Sequence, residues 1–345
     1  MKILVTGGAG FIGSAFVRTT LALDPVVRIV NLDKLTYAGN LENLAPVESN
    51  CQQRDRYRFV KGDICDGPLL ESLLDEEKPD AIIHFAAESH VDRSIHAPTP
   101  VFDTNLRGTF TLLEAIRARP VKRFVHVSTD EVYGSLAAPA EADEQYPLRT
   151  SSPYSAAKAG SDLLALSYFT TYKLPVLVTR ASNNYGPYHF PEKLIPLMIT
   201  NAFDNAPLPV YGDGSQQRDW LFVEDHAEAL VRVLEQGQAG ATYAIGARQP
   251  RSNLEVVHAI CDALDARLPD PAGPRRRLIH FVTDRPGHDF RYEIDPTRTE
   301  AALDWQAPHD FATGLGKTID WYLANQAWWA PIRAARYAGQ RMGKA

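Results

Sequence analysis

The sequence predicts an α/β fold: a Rossmann-like doubly wound parallel sheet with a smaller mixed α/β C-terminal substrate lobe. Three observations predict it. A glycine turn, Thr6-Gly-Gly-Ala-Gly-Phe-Ile-Gly13, lies between a short strand pattern and a helical one. Short β-branched runs near 2–6, 27–32, 57–61, 80–85, 121–128 and 175–180 alternate with longer helical patterns, the rhythm of a parallel sheet covered on both faces. After about residue 186 the rhythm fails, and Gly186-Pro-Tyr-His-Phe-Pro191 opens a region rich in Pro and aromatics.

The expected division is therefore a dinucleotide-binding unit over 1–186 and a second lobe over 187–345. The strand-like Thr242-Tyr-Ala-Ile245 brings a segment near 220–250 back to the sheet, so the two units interleave. At 345 residues, with 45% hydrophobic and 23% charged residues, the chain has the composition of an ordinary globular protein. A net charge of −6 gives no support to nucleic-acid or anionic-membrane binding, so an anionic ligand must be met by local cations and helix ends. Met1-Lys2-Ile3-Leu4-Val5 runs straight into a strand without a signal-peptide pattern, and no apolar run approaches the ~20 residues of a membrane span. Cys51, Cys65 and Cys261 are scattered, which fits a reduced cytosol, and the histidines show no metal-ligand spacing, so no metal is expected.

In the first βα unit, Lys2–Val5 is the strand and Ser14–Leu23 reads as the helix. Gly7, Gly10 and Gly13 have the spacing that permits a tight turn, backbone approach to a pyrophosphate and close helix packing. The helix N-terminus supplies amides and a positive dipole end. The next strand ends in Asp33, twenty residues after Gly13. A carboxylate there accepts from both ribose hydroxyls and repels a 2′-phosphate, which favours NAD over NADP. Asp63 follows the third strand and is expected at the adenine. Phe85-Ala-Ala-Glu-Ser89 follows the fourth, at the carboxyl edge where ligands bind such sheets.

Tyr154 and Lys158 share a face of one expected helix, Ser152–Tyr172. An ammonium near the phenol favours phenolate, so Tyr154 reads as a hydroxyl-proton base. Thr129-Asp130-Glu131 closes the fifth strand and adds a second acid and base, which oxidation alone does not need. Two carboxylates working as acid and base require different protonation states, with Asp130 held neutral by burial or by the charge of Glu131.

These residues resemble the extended short-chain dehydrogenases/reductases that act on nucleotide sugars, and within them the thymidine-nucleotide 4,6-dehydratases. The stretches that carry the resemblance span nearly the whole chain. They are Thr6–Ser14, Asn31–Asn40, Ala86–Ser94, Ser128–Gly134, Ser182–Pro187, Phe190–Leu194, Arg218–Leu221 and Asp284–Asp289. The resemblance implies NAD as cofactor and dTDP-glucose as substrate. It adds Phe11, Ile12, Lys34, Leu35, Thr36, Ile64, Thr104 and Asn184 to the cofactor side, with Phe85, Ala86, Ala87 and Ser89 in the fourth-strand loop. It places Arg218 and Arg285 at the pyrophosphate, with Asp284, His288 and Asn253 nearby. Asn183, Lys193, Leu194 and Ser89 face the sugar and nucleotide, and Pro209-Val210-Tyr211 the base. It also implies a homodimer through the segments Thr104–Arg119 and Ser152–Tyr172, whose apolar positions include Leu106, Phe110, Leu113, Leu163, Leu166 and Phe169.

The implied cycle is C4 oxidation, loss of water across C5 and C6, and reduction at C6. An epimerase or decarboxylase shares Tyr154 and Lys158 but not the Asp130-Glu131 pair, and a UDP-sugar dehydratase is a further alternative. A non-catalytic NAD-sensing regulator on the same fold is the alternative of another class. Trp328-Trp329 and the tail 332–345 are expected to serve packing or partner contacts.

Overall fold

The structure is a computed structural model describing residues 1–335; the last ten residues of the expected tail, 336–345, lie outside the described residues. Six strands come first: β1 (Lys2–Thr6), β2 (Arg28–Asp33), β3 (Tyr57–Lys61), β4 (Ala81–His84), β5 (Arg123–Thr129) and β6 (Val176–Ala181). Then follow β7 (Asn183–Tyr185), β8 (Leu208–Tyr211), β9 (Gln217–Phe222), β10 (Thr242–Ile245), β11 (Pro250–Ser252) and β12 (Ile279–Val282). The main sheet has the order β10-β6-β5-β4-β1-β2-β3 and every pairing in it is parallel. Its central strands are almost wholly buried because helices cover both faces, and most of the side chains they pack there are apolar.

The register brings the strand ends level. Thr6 lies between Leu32 and His84, and Thr129 lies beside Ala181. The carboxyl ends of β1, β2, β4 and β5 therefore form one edge, and the glycine turn, Asp33, Phe85 and the Thr129 triplet all emerge along it.

One face is covered by the Phe11–Leu23 and Val223–Gln236 helices, packed against each other. After the second of these, β10 adds to β6, so the chain does return to the main sheet. The other face carries the Gly67–Glu77, Thr109–Ala118 and Pro153–Tyr172 helices. The Pro153–Tyr172 helix starts at a capping box, Ser152 with Ser155, with Pro at its first position. Its buried stripe includes Tyr154, Lys158, Asp162 and Ala165, spaced by a helical turn.

The single helix expected over Thr104–Arg119 is interrupted: a wide, π-helical turn, Asp103–Gly108, precedes Thr109–Ala118. There Asn105 turns inward and brackets Glu88, accepting from its N–H at 2.8 Å and donating to its carbonyl at 3.0 Å. Leu113, one of the expected interface positions, is fully buried in the chain's own core, whereas Phe110 and Leu163 are exposed.

The second lobe has its own core, built from the Leu194–Phe203, Asn253–Arg267 and Phe311–Ala324 helices. Two small sheets accompany it: β11-β9-β7, mixed in direction, and the parallel pair β12-β8. Among the described residues, no helix is long and apolar enough to cross a membrane.

Candidate active site

Two adjoining cavities open above the carboxyl edge of the main sheet, one of about 340 Å³ and one of about 180 Å³. Glu131, Asn183, Glu192, Lys193, Leu194 and Trp220 line both, so they form one continuous cleft.

The larger cavity runs along the glycine turn. Gly7 has φ +75°, and a Cβ there would lie 2.5 Å from the Ala86 N, so the turn can press against the β4 loop only without a side chain. The Phe11–Leu23 helix has neither a side-chain cap nor an acid in its first turn, which leaves its dipole end free for an anion. Asp33 is buried; its Oδ2 accepts from Ala9 N at 2.9 Å and its Oδ1 from Leu35 N at 2.8 Å. These bonds fix the carboxylate and leave further lone pairs for ribose hydroxyls. Lys34 pairs with Asp63 at 2.7 Å. This arrangement fits a dinucleotide with an unphosphorylated 2′-hydroxyl.

The expected cofactor residues Gly7, Gly10, Phe11, Ile12, Gly13, Asp33, Lys34, Thr36, Asp63, Ile64, Phe85, Ala86, Ala87, Ser89, Thr104, Tyr154, Lys158 and Asn184 all line this cavity. Leu35 does not. Its φ of 57° turns the chain there, and its contribution is the amide held by Asp33.

The expected reacting groups Thr129, Asp130, Glu131, Tyr154 and Lys158 line the larger cavity, and Glu131 lines the smaller one too. Thr129, the last residue of β5, caps the short helical turn Asp130–Tyr133, its Oγ1 accepting from Glu131 N at 3.2 Å. That turn holds the two carboxylates next to Tyr154. Burial pushes the Asp130 carboxyl well above its ordinary range, and the charge of Glu131 pushes it the same way. Burial also raises Glu131, but Arg285, Lys193 and Arg218 work against that rise. The two acids are thus held apart in strength, Asp130 toward the neutral form.

Lys158 differs from the expectation. Its Nζ donates to the Val127 carbonyl at 2.8 Å, and burial lowers it to about 8, with Asp162 opposing. The Tyr154 phenol is pushed up by burial, then by Glu131 and Asp130, while a bond to Thr129 pulls it down. Burial, with the two carboxylates after it, therefore keeps the phenol protonated in this geometry.

The smaller cavity is lined by Pro209, Val210 and Tyr211 at the end of β8, with Asn253, Arg218, Arg285 and His288, and with Asn183, Lys193 and Leu194 from the shared wall. Arg218 is 5% exposed, yet it donates only to the carbonyls of Gln217, Asp289 and Phe290, and its guanidinium stacks over Tyr292 at 4.2 Å. No carboxylate pairs with it among the described residues. A buried cation left so has its charge uncompensated by the chain and is suited to an anionic ligand. Lys193 donates to the Ser89 carbonyl at 2.8 Å. Asp284, expected among the binding residues, lines neither cavity. It accepts from Arg285 N at 2.8 Å and Gln216 Nε2 at 2.8 Å, and bonds His288 Nδ1 at 2.6 Å, so it orders the residues that do line the cleft.

Sequence reasoning assigned no role to Asp92, whose carboxylate takes Arg285 Nη1 at 2.9 Å and the Tyr211 hydroxyl at 3.1 Å, joining the two lobes. Nor did it single out Glu192, buried and paired to Arg93 at 3.1 Å, or His90, which burial lowers to about 2. All three stand inside stretches that carried the resemblance, and only folding shows which of those residues face the cleft.

The family model for GDP-mannose 4,6 dehydratase matches residues 4–318. A dTDP-glucose 4,6-dehydratase of Xanthomonas campestris pv. campestris is 52% identical over 99% of this chain and 98% of its own length. The crystal structure of a dTDP-glucose 4,6-dehydratase from Bacillus anthracis, in complex with NAD, matches at TM-score 0.87 and 46% identity, covering 96% of this chain and 99% of that one. Another from Streptomyces venezuelae, with NAD and TYD bound, matches at 0.89 and 47%, covering 96% and 100%. With half its residues identical along almost the whole length, and with the acid pair, the tyrosine and the glycine turn gathered in one cleft, the chain belongs to the dTDP-glucose 4,6-dehydratases.

Proposed function

We propose that the protein converts dTDP-glucose to dTDP-4-keto-6-deoxyglucose and water. The observation that carries this reading is the acid pair beside Tyr154 in the larger cavity, Asp130 buried and Glu131 half-buried and reaching the smaller cavity as well. Tyr154 removes the C4 hydroxyl proton while Thr129 bonds the oxygen. The glycine turn, Asp33 and the rest of the larger cavity would hold NAD, which the Bacillus anthracis relative binds, and the bound cofactor would supply hydride uptake from C4 and its return to C6. The C4 ketone acidifies the C5 hydrogen, and Glu131 takes that proton. Asp130, kept neutral by burial, protonates the departing C6 hydroxyl. Arg218 and Arg285 receive the diphosphate, Pro209–Tyr211 the base, and Asn183, Lys193 and Ser89 the sugar.

In this reading residues 1–186, with the return segment near 220–250, form the NAD-binding unit and 187–345 the interleaved nucleotide-sugar lobe. The exposed Phe110 and Leu163 support a homodimer through the helices on that face, checked by light scattering at micromolar concentration. Free Cys51, Cys65 and Cys261 support a cytosolic location.

The test is incubation with dTDP-glucose, following the alkali-dependent absorbance of a 4-keto sugar together with NADH. Product without net NADH is expected; NADH rising with product overturns the elimination. With UDP-glucose, kcat/KM is expected to be lower by about ten- to a hundredfold, the effect of one small group in a snug pocket.

A further inference from the structure

We infer that Trp328 and Asn43 form a cofactor-retaining bridge, through which the Gln326–Ala335 helix holds the glycine turn closed over bound NAD. This rests on the reading that the larger cavity takes NAD.

Both residues line that cavity. The Trp328 indole N–H donates to Asn43 Oδ1 at 3.0 Å, and Asn43 Nδ2 donates to the Ala9 carbonyl at 3.0 Å. Ala9 lies inside the glycine turn, and Asn43 is 1% exposed. The bridge has a fixed sense, because an indole can only donate and a main-chain carbonyl can only accept, so the amide carries one of each to where it is needed. Asn43 is itself held: its carbonyl accepts from Arg18 Nη1 at 2.7 Å, and Arg18 comes from the helix that opens at the turn.

At its other end the helix is tied to the second lobe. Trp329 donates to the Tyr322 carbonyl at 2.8 Å, and Arg333 reaches Asp204 at 2.7 Å and Asn201 at 2.9 Å. Trp328 also meets Trp321 and Tyr188 edge-on, with centroids 5.1 and 5.7 Å apart. The same helix therefore grips the lobe with one tryptophan and the cofactor turn with its neighbour.

Retention has a chemical purpose here. The cofactor must take back its role within one turnover, and losing it midway strands an oxidised sugar on the enzyme. A residue that slows release without touching the reacting carbons serves that need.

The test compares wild type, Trp328→Phe and Trp329→Phe, all as purified holoenzyme. NAD per protomer is measured after gel filtration, and the release rate is measured by trapping freed cofactor. Phenylalanine at 328 keeps the ring and removes the donor. We expect release to quicken about five- to tenfold, the effect of one buried hydrogen bond, with NAD content falling. Trp329→Phe loses its bond to Tyr322 and is expected to lower the melting temperature without quickening release. If wild type and Trp328→Phe hold NAD equally, the bridge is overturned while the function stands. If both 328 and 329 variants quicken release alike, the effect is general helix docking and the assignment also fails. If wild type neither holds nor uses NAD, the underlying reading fails instead.

Discussion

The two ends of the cleft meet their ligands in different ways. At the cofactor end the charge complement is mostly main chain: a helix N-terminus, a turn without side chains, and one fixed carboxylate, Asp33. At the substrate end it is side chain: Arg218, Arg285 and Lys193, brought from three separate segments, the first buried and the other two half-buried. A backbone site comes with the local βα unit. A site made of buried guanidinium groups exists only when distant segments dock, and it costs desolvation that an incoming anion would repay.

The junction between these ends offers the largest break. Glu131→Gln is expected to cut turnover on the order of 10²–10⁴-fold and to stop solvent-deuterium exchange at C5, with NAD content unchanged. Asp130→Asn is expected to slow elimination yet keep C5 exchange, read by the same mass-spectrometric assay. Unimpaired exchange in Glu131→Gln rules out its role as base.

Next in size is the substrate end. Arg218→Ala is expected to raise the KM for dTDP-glucose about ten- to a hundredfold, since hydrogen bonds to charged groups contribute ~1.5–3 kcal/mol. Bound NAD measured after gel filtration is expected to be unaffected. Arg218→Lys is expected not to restore KM, because one ammonium cannot reach the Gln217, Asp289 and Phe290 carbonyls together and still face the cavity.

The Lys158 ammonium supplies a pH test of the cofactor end. With a pKa of about 8 it is charged below that value and neutral above it, so the competent form disappears as pH rises. A kcat/KM profile is expected to fall on the alkaline side of pH 8 by about tenfold per unit. Lys158→Arg, charged throughout, is expected to lose that limb at reduced activity. The smallest effect belongs to Asp33→Asn. Removing its charge is expected to improve NADP binding severalfold, on the order of 1 kcal/mol of charge repulsion relieved, measured by competition with NAD.

The same contrast decides what could be read from the sequence. The strand rhythm, the glycine turn and Asp33 are local patterns, and the observed strands begin and end within a few residues of the expected ones. The triplet after β5 was legible because strand, turn and acids are contiguous. The wide turn at Asp103–Gly108 was not, since a helical period hides a change of hydrogen bonding and the cause, Asn105 bracketing Glu88, lies across the fold. Asp92 escaped for a similar reason: its partners, Tyr211 and Arg285, are more than a hundred residues away. Asp284 looked like a ligand residue because it adjoins Arg285, but its carboxylate orders neighbours instead. Trp328 read as packing, and no periodicity announces that an indole reaches a cavity at the other end of the chain.

The pairing of β10 with β6 governs the order in which this protein can assemble on a ribosome. β6 ends at Ala181 and its outer edge stays bare until Thr242–Ile245 has emerged. During that interval the nascent chain carries an apolar strand with an open side, a template for unwanted pairing. The intervening stretch holds the Leu194–Phe203 helix and β7 to β9, whose own core waits for the Asn253–Arg267 and Phe311–Ala324 helices. Neither lobe can finish first and wait for the other. Truncations between 186 and 241 are therefore expected to yield aggregating fragments rather than a free-standing dinucleotide-binding half.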